Sequence, residues 1–149
     1  MSTKKTLNPK KTSRNLGKKL KGIYVLIIQL ETAVQIRVGA LGTITFSAGT
    51  YAYVGSAQNS LEQRVKRHLR KEKKLFWHID YLLADKAANV TQVYYATGDK
   101  ACECNIANLV AQKAAPISGF GCSDCNCGSH LFHSENFQFI ADHMRQLNF

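Results

Sequence analysis

The chain has 149 residues, of which 45% are hydrophobic, five cysteines and a formal net charge of +10. This length is typical of one domain with a buried core, and no apolar run approaches the ~20 residues that span a bilayer, so we expect no membrane helix. The excess of positive charge indicates an anionic partner, with nucleic acid as the first candidate and an anionic membrane surface as the second.

Residues 1–21 are predicted to form a basic, disordered arm, because they contain many lysines, no acidic residue and few apolar residues. The apolar run behind it, Ile23 to Ile28, is only strand-sized, so the segment does not resemble a secretory signal. The arm either adds sequence-independent phosphate contacts or only solubilises the chain. Residues 22–149 are then expected to form a single domain.

Four strands are predicted in the first half of this domain. Residues 22–30 are β-branched and apolar, which indicates a strand buried on both faces. Residues 34–38 alternate as a half-buried strand, residues 43–46 form a short strand, and residues 50–54 form the next. Turns separate them, so we expect the chain to begin as an antiparallel meander.

A helix is predicted from Ser60, a capping residue, to about Lys74. Its inner face carries apolar residues four apart: Leu61, Val65 and Leu69. Arg64 and His68 are also four apart and share a face beside this stripe. Five further basic residues of the segment are predicted to contact nucleic acid: Lys66, Arg67, Arg70, Lys73 and Lys74.

The second half alternates helices and strands. We expect a helix at 75–84, a strand at 90–96, a helix at 101–114 and a loop at 117–130. A last amphipathic helix is predicted from Ser134, with four apolar residues facing inward: Phe137, Ile140, Met144 and Leu147. These elements make the fold class α+β, with a small, mostly antiparallel sheet flanked by helices.

The cysteines are clustered near the carboxyl end of the domain. Cys122, Cys125, Cys127 and His130 offer four soft ligands, which suit a structural zinc ion. Cys102, Cys104 and His133 lie nearby in sequence. The alternative is a tightly turned loop in which the thiols pack as small apolar groups. An odd, clustered count favours thiols or a metal site in a reducing, cytoplasmic compartment over a disulfide framework.

Four ordered motifs resemble the GIY-YIG nuclease superfamily: Gly22-Ile23-Tyr24, Tyr53-Val54-Gly55, Arg64-x-x-x-His68 and Glu103. Longer runs are similar to its small stand-alone, Uri-type branch. These runs are Gly49-x-Tyr51-x-Tyr53-Val54-Gly55-Ser56-Ala57, Arg67-His68-Leu69, Trp77-His78-Ile79-Asp80-Tyr81-Leu82, Glu103-Cys104 and Gly119-Phe120-Gly121-Cys122-Ser123-Asp124-Cys125-x-Cys127-x-Ser129-His130-Leu131.

The resemblance implies a metal-dependent endonuclease that cuts phosphodiester bonds in DNA, in DNA repair or processing. It assigns one divalent cation, Mg²⁺ or Mn²⁺, to Glu103. Its catalytic residues would be Tyr24, Tyr53, Arg64 and His68, with Tyr24 as general base. An extra hairpin, residues 31–49, must then separate the two tyrosine motifs. The expected location is the cytoplasm, with association with the nucleoid as an option.

Two other functions stay open. The asparagine that usually follows the glutamate by a helix length is absent, because Ala115 and Pro116 occupy its place. Ser123 or Asp124 would have to substitute for it. This absence favours a nucleic-acid-binding module that retains the fold without cutting. A third interpretation is a zinc-stabilised interaction domain whose basic arm binds an acidic partner.

Overall fold

The computed structural model describes residues 20–122 and 127–148. Across these residues the fold is α+β, as predicted, with one six-stranded antiparallel sheet, a separate two-stranded sheet and three α-helices. Nearly all of the predicted basic arm, residues 1–19, lies outside the described residues.

The central strand of the large sheet is β1, Gly22–Leu30. Every residue of it is buried except Gln29, because the strand is apolar on both faces and is covered on both. In spatial order the six strands are β6 (Ala115–Pro116), β7 (Leu131–His133), β4 (Gly49–Ala57), β1, β5 (Ala88–Thr97) and β8 (Arg145–Leu147).

The predicted meander is wrong, whereas the predicted extra hairpin is confirmed. Strands β2 (Val34–Arg37) and β3 (Thr43–Phe46) pair only with each other. β1 instead pairs directly with β4 along its whole length, from Gly22 opposite Ala57 to Leu30 opposite Gly49. The hairpin is therefore an insertion between two strands that are neighbours in the sheet.

Each face of the sheet carries its own core. Alternate residues of β1, beginning with Tyr24 and Leu26, pack on one face with α1 (Leu61–Leu69) and α2 (His78–Leu83). Ile23, Val25 and Ile27 pack on the other face, against α3 (Ala101–Ala111) and the carboxyl-terminal segment. The two tyrosine motifs thus present their tyrosines to the face that α1 covers.

Helix α1 begins where predicted but ends earlier, at Leu69 rather than Lys74. The Ser60 hydroxyl accepts a hydrogen bond from the Gln63 amide at 3.3 Å, which caps its first turn. At the other end the Lys73 ammonium donates to three backbone carbonyls at and just beyond the last turn of the helix. These are the carbonyls of Arg67 at 3.2 Å, His68 at 2.8 Å and Arg70 at 2.6 Å.

The predicted last helix is wrong. A short 3-10 helix, Gln138–Asp142, is followed by strand β8, which pairs with β5. Phe137, Ile140, Met144 and Leu147 are nevertheless buried as expected. Their spacing fits a helix, but Leu147 lies opposite Val93 and completes the edge of the sheet. In the part of the chain described, no helix is both long and apolar enough to cross a bilayer.

Candidate active site

A cavity of about 430 Å³ opens where four elements converge. Tyr24 of β1, Tyr53 of β4, Arg64 of α1 and Glu103 of α3 all line it. The other lining residues are Gly39, Ala40, Gly55, Ser56, Phe76, Trp77, His78, Tyr81, Lys100 and Gly121. Residues that are far apart in sequence therefore share one solvent-accessible depression.

Position 55 requires glycine because the ring of Tyr24 lies over it. The two residues are direct cross-strand partners. A Cβ atom on Gly55 would lie 2.5 Å from both Cζ and the hydroxyl oxygen of Tyr24. Only glycine lets the phenol fold across β4 towards α1, which explains physically why the second tyrosine motif ends on glycine.

Replacing Gly55 with alanine should therefore displace Tyr24. The ring is only 2% exposed and its hydroxyl is hydrogen-bonded, so it has no room to yield without losing that bond. We expect Gly55→Ala to lower the free energy of unfolding by about 1–3 kcal/mol, measured by urea denaturation. Gly128→Ala is the control, because nothing lies within 4 Å of its added carbon. Equal stability of the two variants would contradict this packing.

The hydroxyl of Tyr24 lies 2.7 Å from Nε2 of His68, and both groups are buried. Nδ1 of His68 has no hydrogen-bond partner among the described residues. The direction of the Tyr24–His68 hydrogen bond depends on the His68 tautomer: with the proton on Nε2 the imidazole donates to the phenol oxygen, and with the proton on Nδ1 it accepts from the phenol. In the first of these tautomers the donated hydrogen bond favours the phenolate form of Tyr24.

Acid should destabilise the protein through His68. Burial, against the opposing effect of Asp80 and together with the charges of Lys73, Arg67 and Arg64, lowers the pKa of His68 from 6.5 to about 3. Below pH 6.5, the ordinary pKa of histidine, His68 binds a proton in the unfolded chain but not in the native chain. Stability should therefore fall as pH falls, by up to about 1.4 kcal/mol per pH unit.

Urea denaturation between about pH 5 and pH 6.5 measures this slope, because carboxyl groups titrate mostly below that range. His68→Gln should flatten it. His143→Gln, which changes an exposed histidine, should leave it as it is. An unchanged slope in His68→Gln would mean that His68 is charged in the native state.

The pKa values of the two site tyrosines are both raised, chiefly by burial. Arg64 opposes this effect at Tyr24 through its charge and a hydrogen bond, and Glu103 adds to it. A neighbouring positive charge favours the phenolate. The burial of Tyr24 outweighs that charge, so the phenol is protonated at neutral pH.

Arg64 is held by the backbone and by an indole ring. Its Nη1 donates to the carbonyl oxygen of Ser56 at 3.0 Å, and its guanidinium lies 4.6 Å from the centre of the Trp77 ring. The guanidinium of Arg67 also lies over this ring, at 4.4 Å. Trp77 thereby orients Arg64 at the cavity wall, a role for which a cation–π contact is well suited.

The basic residues predicted to bind nucleic acid divide into two groups. Arg67 donates two hydrogen bonds to the buried carboxylate of Asp80, at 2.9 and 3.0 Å, and Lys73 closes the end of α1. Both therefore have structural partners. Lys66, Arg70 and Lys74 are exposed. These three remain the candidates for phosphate contacts from this segment.

Glu103 reaches the cavity from the opposite face of the sheet. Helix α3 packs there, but β7 pairs with β4 only as far as Tyr53, so among the described residues the following part of β4 has no strand on that edge and pairs only with β1. The first turn of α3 lies at this gap. Nδ1 of His130 donates to Oε2 of Glu103 at 2.7 Å, and Ser56 also hydrogen-bonds this carboxylate.

These contacts keep Glu103 ionised. Burial alone would raise the pKa of its carboxyl group, but the hydrogen bonds from His130 and Ser56 outweigh burial and leave it below its usual value. A carboxylate accepts at about four lone-pair sites, so two donors leave room for a cation. The surrounding cavity offers tyrosine and serine oxygens and space for water, a hard donor set that fits Mg²⁺ or Mn²⁺.

The soft ligands group differently from the prediction. Ligand atoms of Cys104, Cys127 and His130 all lie within 4.8 Å of one another. Cys122 is not part of this group; its thiol lies 3.6 Å from the carbonyl oxygen of Phe120. Cys125 lies outside the described residues. Cys104 was visible in the sequence only as a nearby thiol, because nothing local shows that α3 approaches the loop.

His78 lies in the wall of the cavity. Its Nδ1 accepts a hydrogen bond from the Gly121 amide at 2.8 Å, so in the neutral ring Nε2 carries the proton. Burial lowers the pKa of His78, which favours that neutral form. Beside it, Phe76 lines the cavity with 73% of its surface exposed.

Comparison with curated proteins and with solved structures finds no match to the chain. A protein-family model does match, over residues 23–148, and its description is domain of unknown function DUF123. The match begins in β1 and ends beyond β8, so it includes every strand, helix and cavity residue described above. The chain therefore belongs to the DUF123 family.

Proposed function

We propose that the chain is a GIY-YIG-type, metal-dependent endonuclease that hydrolyses phosphodiester bonds in DNA. The shared cavity supports this best. Two phenols, a guanidinium and an ionised carboxylate, from four separate elements, line one opening. Phosphodiester hydrolysis needs these kinds of group: a proton acceptor, a phosphate ligand and a ligand for a hard cation.

The roles follow from the contacts. Arg64 offers a planar donor fork for phosphate oxygens, held in place by Ser56 and Trp77. Tyr24 would serve as general base once a divalent cation at Glu103 adds its charge to that of Arg64, because both favour the phenolate against the burial that otherwise keeps the phenol protonated. A divalent cation at Glu103 would polarise the phosphate and stabilise the leaving oxygen. His78, with its proton on Nε2, can donate to a substrate oxygen.

DNA is the proposed substrate because of charge and shape. The net charge of +10 attracts a polyanion. Three exposed basic residues lie on α1 or just after it: Lys66, Arg70 and Lys74. Phe76 projects an exposed ring at the cavity, where it can stack on an unpaired base. A role in DNA repair or processing, where distorted DNA is cut, is consistent with such a ring.

One observation favours the alternative, a nucleic-acid-binding module without cutting. Ala115 and Pro116 form β6 at the sheet edge, and neither lines the cavity. The position where related nucleases carry an asparagine therefore adds no polar group to the site. A binding module would retain affinity for DNA and show no dependence on Glu103.

Cleavage of a panel of labelled DNAs separates the two functions. Duplex, nicked, branched and single-stranded DNA are incubated with the full chain, with and without Mg²⁺ or Mn²⁺. We expect cleavage of at least one DNA only with metal, and its loss in Glu103→Gln. The matched control is Glu31→Gln, an exposed glutamate outside the cavity. Binding without metal-dependent cleavage of any DNA would support the module instead.

A further inference from the structure

Two cysteines and a histidine from different parts of the chain meet behind the candidate active site. Cys104 lies on α3, directly after Glu103, whereas Cys127 and His130 lie in the loop before β7. Their ligand atoms lie within 4.8 Å of one another. Thiolate and imidazole ligands of a tetrahedral zinc ion are about 3.5–3.8 Å apart, so a small closure of the loop would complete the geometry.

The hydrogen bonds of His130 show which ring nitrogen suits a metal. Nδ1 lies 2.7 Å from Oε2 of Glu103 and 3.2 Å from the carbonyl oxygen of Val54. Both neighbours are acceptors, so Nδ1 must carry the proton. In the neutral ring Nε2 then holds the lone pair, and a lone pair is what a metal ligand supplies.

We propose that Cys104, Cys127 and His130 bind one zinc-like cation through two sulfurs and Nε2, and that His130 thereby holds Glu103 in place. Soft thiolates select zinc over magnesium, so this cation is distinct from the one proposed for Glu103. Three protein ligands leave a fourth tetrahedral position. The second half of the proposal rests on the proposed function, because it assumes that Glu103 binds the cation of the cavity.

The arrangement couples the two sites through one imidazole. A metal-bound histidine that donates its other N–H to a carboxylate is fixed in both tautomer and orientation, and the carboxylate is oriented in return. Consecutive residues of a helix point about 100° apart. Glu103 can therefore line the cavity while Cys104 joins the group behind it, and a metal bound there would anchor the first turn of α3.

Cobalt titration tests the metal site without any measurement of nuclease activity. The full chain is stripped of metal and titrated with Co²⁺ alone, and thiolate-to-metal charge-transfer absorption is recorded. We expect one equivalent to bind with a thiolate band, displaced by Zn²⁺, and zinc to raise the Tm. Cys104→Ser should weaken the band and abolish the rise in Tm.

Two further variants make the result specific. Cys127→Ser changes the loop rather than the helix, so it repeats the test if Cys104→Ser folds poorly. Cys102→Ser lies on the same helix, but its thiol contacts Asp99 at 3.7 Å and it is outside the group. It should bind Co²⁺ like the natural chain. The site would be overturned by the absence of a thiolate band, or by an equal loss of the band in Cys102→Ser. The thiols would then be packed as small apolar groups without metal.

Mn²⁺ binding tests the coupling. With zinc present, Cys104→Ser should lower Mn²⁺ affinity about 10–100-fold relative to the natural chain; an unchanged affinity would overturn the coupling. The two proposals fail differently. A thiolate band in a chain that cuts no DNA would leave the zinc site standing and remove the nuclease. Metal-dependent cleavage without a thiolate band would support the nuclease and rule out the zinc site.

Discussion

Replacing Arg64 with alanine should abolish DNA cleavage while leaving most DNA binding in place. Arg64 is the one arginine that lines the cavity among the described residues, so it is the group placed to stabilise charge on the phosphate in the transition state. Removal of one such donor typically costs about 10²–10³-fold in rate. Binding depends on the summed field of many cations, so the loss of one changes it little.

The comparison needs rate and affinity measured separately. Cleavage is followed under single-turnover conditions with metal, and affinity by fluorescence anisotropy without metal. Arg70→Ala is the matched control, since Arg70 is exposed and follows the last residue of α1. It should weaken binding slightly and leave the cleavage rate of bound DNA unchanged. If Arg64→Ala cuts normally and binds poorly, Arg64 is an ordinary phosphate contact.

Arg64→Lys refines the interpretation. Lysine keeps the charge but loses the planar fork and its stacking on Trp77. We therefore expect an intermediate cleavage rate, closer to that of the alanine variant. A rate equal to that of the natural chain would show that charge alone, without orientation by Trp77, is what the site requires.

Local pattern was sufficient for the strands and motifs that build the cavity. A run of apolar, β-branched residues predicts β1 whatever surrounds it, and Tyr53 follows from the alternation in β4. The convergence of Tyr24, Arg64 and Glu103 came from the family resemblance, because no local pattern brings three distant side chains together. The physical reason for Gly55 required coordinates, since it is the ring of Tyr24 lying across the strand.

Pairing between strands was beyond local pattern. Sequence adjacency favours a meander, yet β1 and β4 are long and apolar and bury more by pairing with each other than with the half-exposed hairpin strands. The same reason accounts for β8. Its apolar spacing suits a helix, but β5 has an edge with which it can pair. Pairing there satisfies the backbone hydrogen bonds of β8 and also buries Leu147.

Partners of charged groups were also invisible in the sequence. Arg67 and Lys73 looked like members of a solvent-exposed basic face, and the structure gives both of them internal hydrogen-bond partners. Conversely, nothing near Asp80 in the sequence indicates its partner, and its carboxylate is completely buried. Charge along a helix indicates what the surface attracts, but it does not show which cation a distant carboxylate binds.

Asp80→Asn should strongly destabilise the protein. The carboxylate is 0% exposed and accepts four hydrogen bonds: two from Arg67, at 2.9 and 3.0 Å, and one each from the amides of Phe76 and Trp77, both at 2.9 Å. Breaking one side of a buried ion pair leaves the other charge uncompensated and costs about 3–5 kcal/mol. That is a large part of the roughly 5–15 kcal/mol that stabilises a typical domain.

Urea denaturation at neutral pH measures this cost against a matched pair. Glu62 and Lys66 form an ion pair at 3.8 Å on the surface of α1, with the lysine side chain 70% exposed. Glu62→Gln should cost less than about 0.5 kcal/mol, because solvent screens such a pair. If Asp80→Asn cost no more than Glu62→Gln, the buried pair would contribute nothing to stability. The segment of Phe76 and Trp77, and with it the wall that orients Arg64, would then need another anchor.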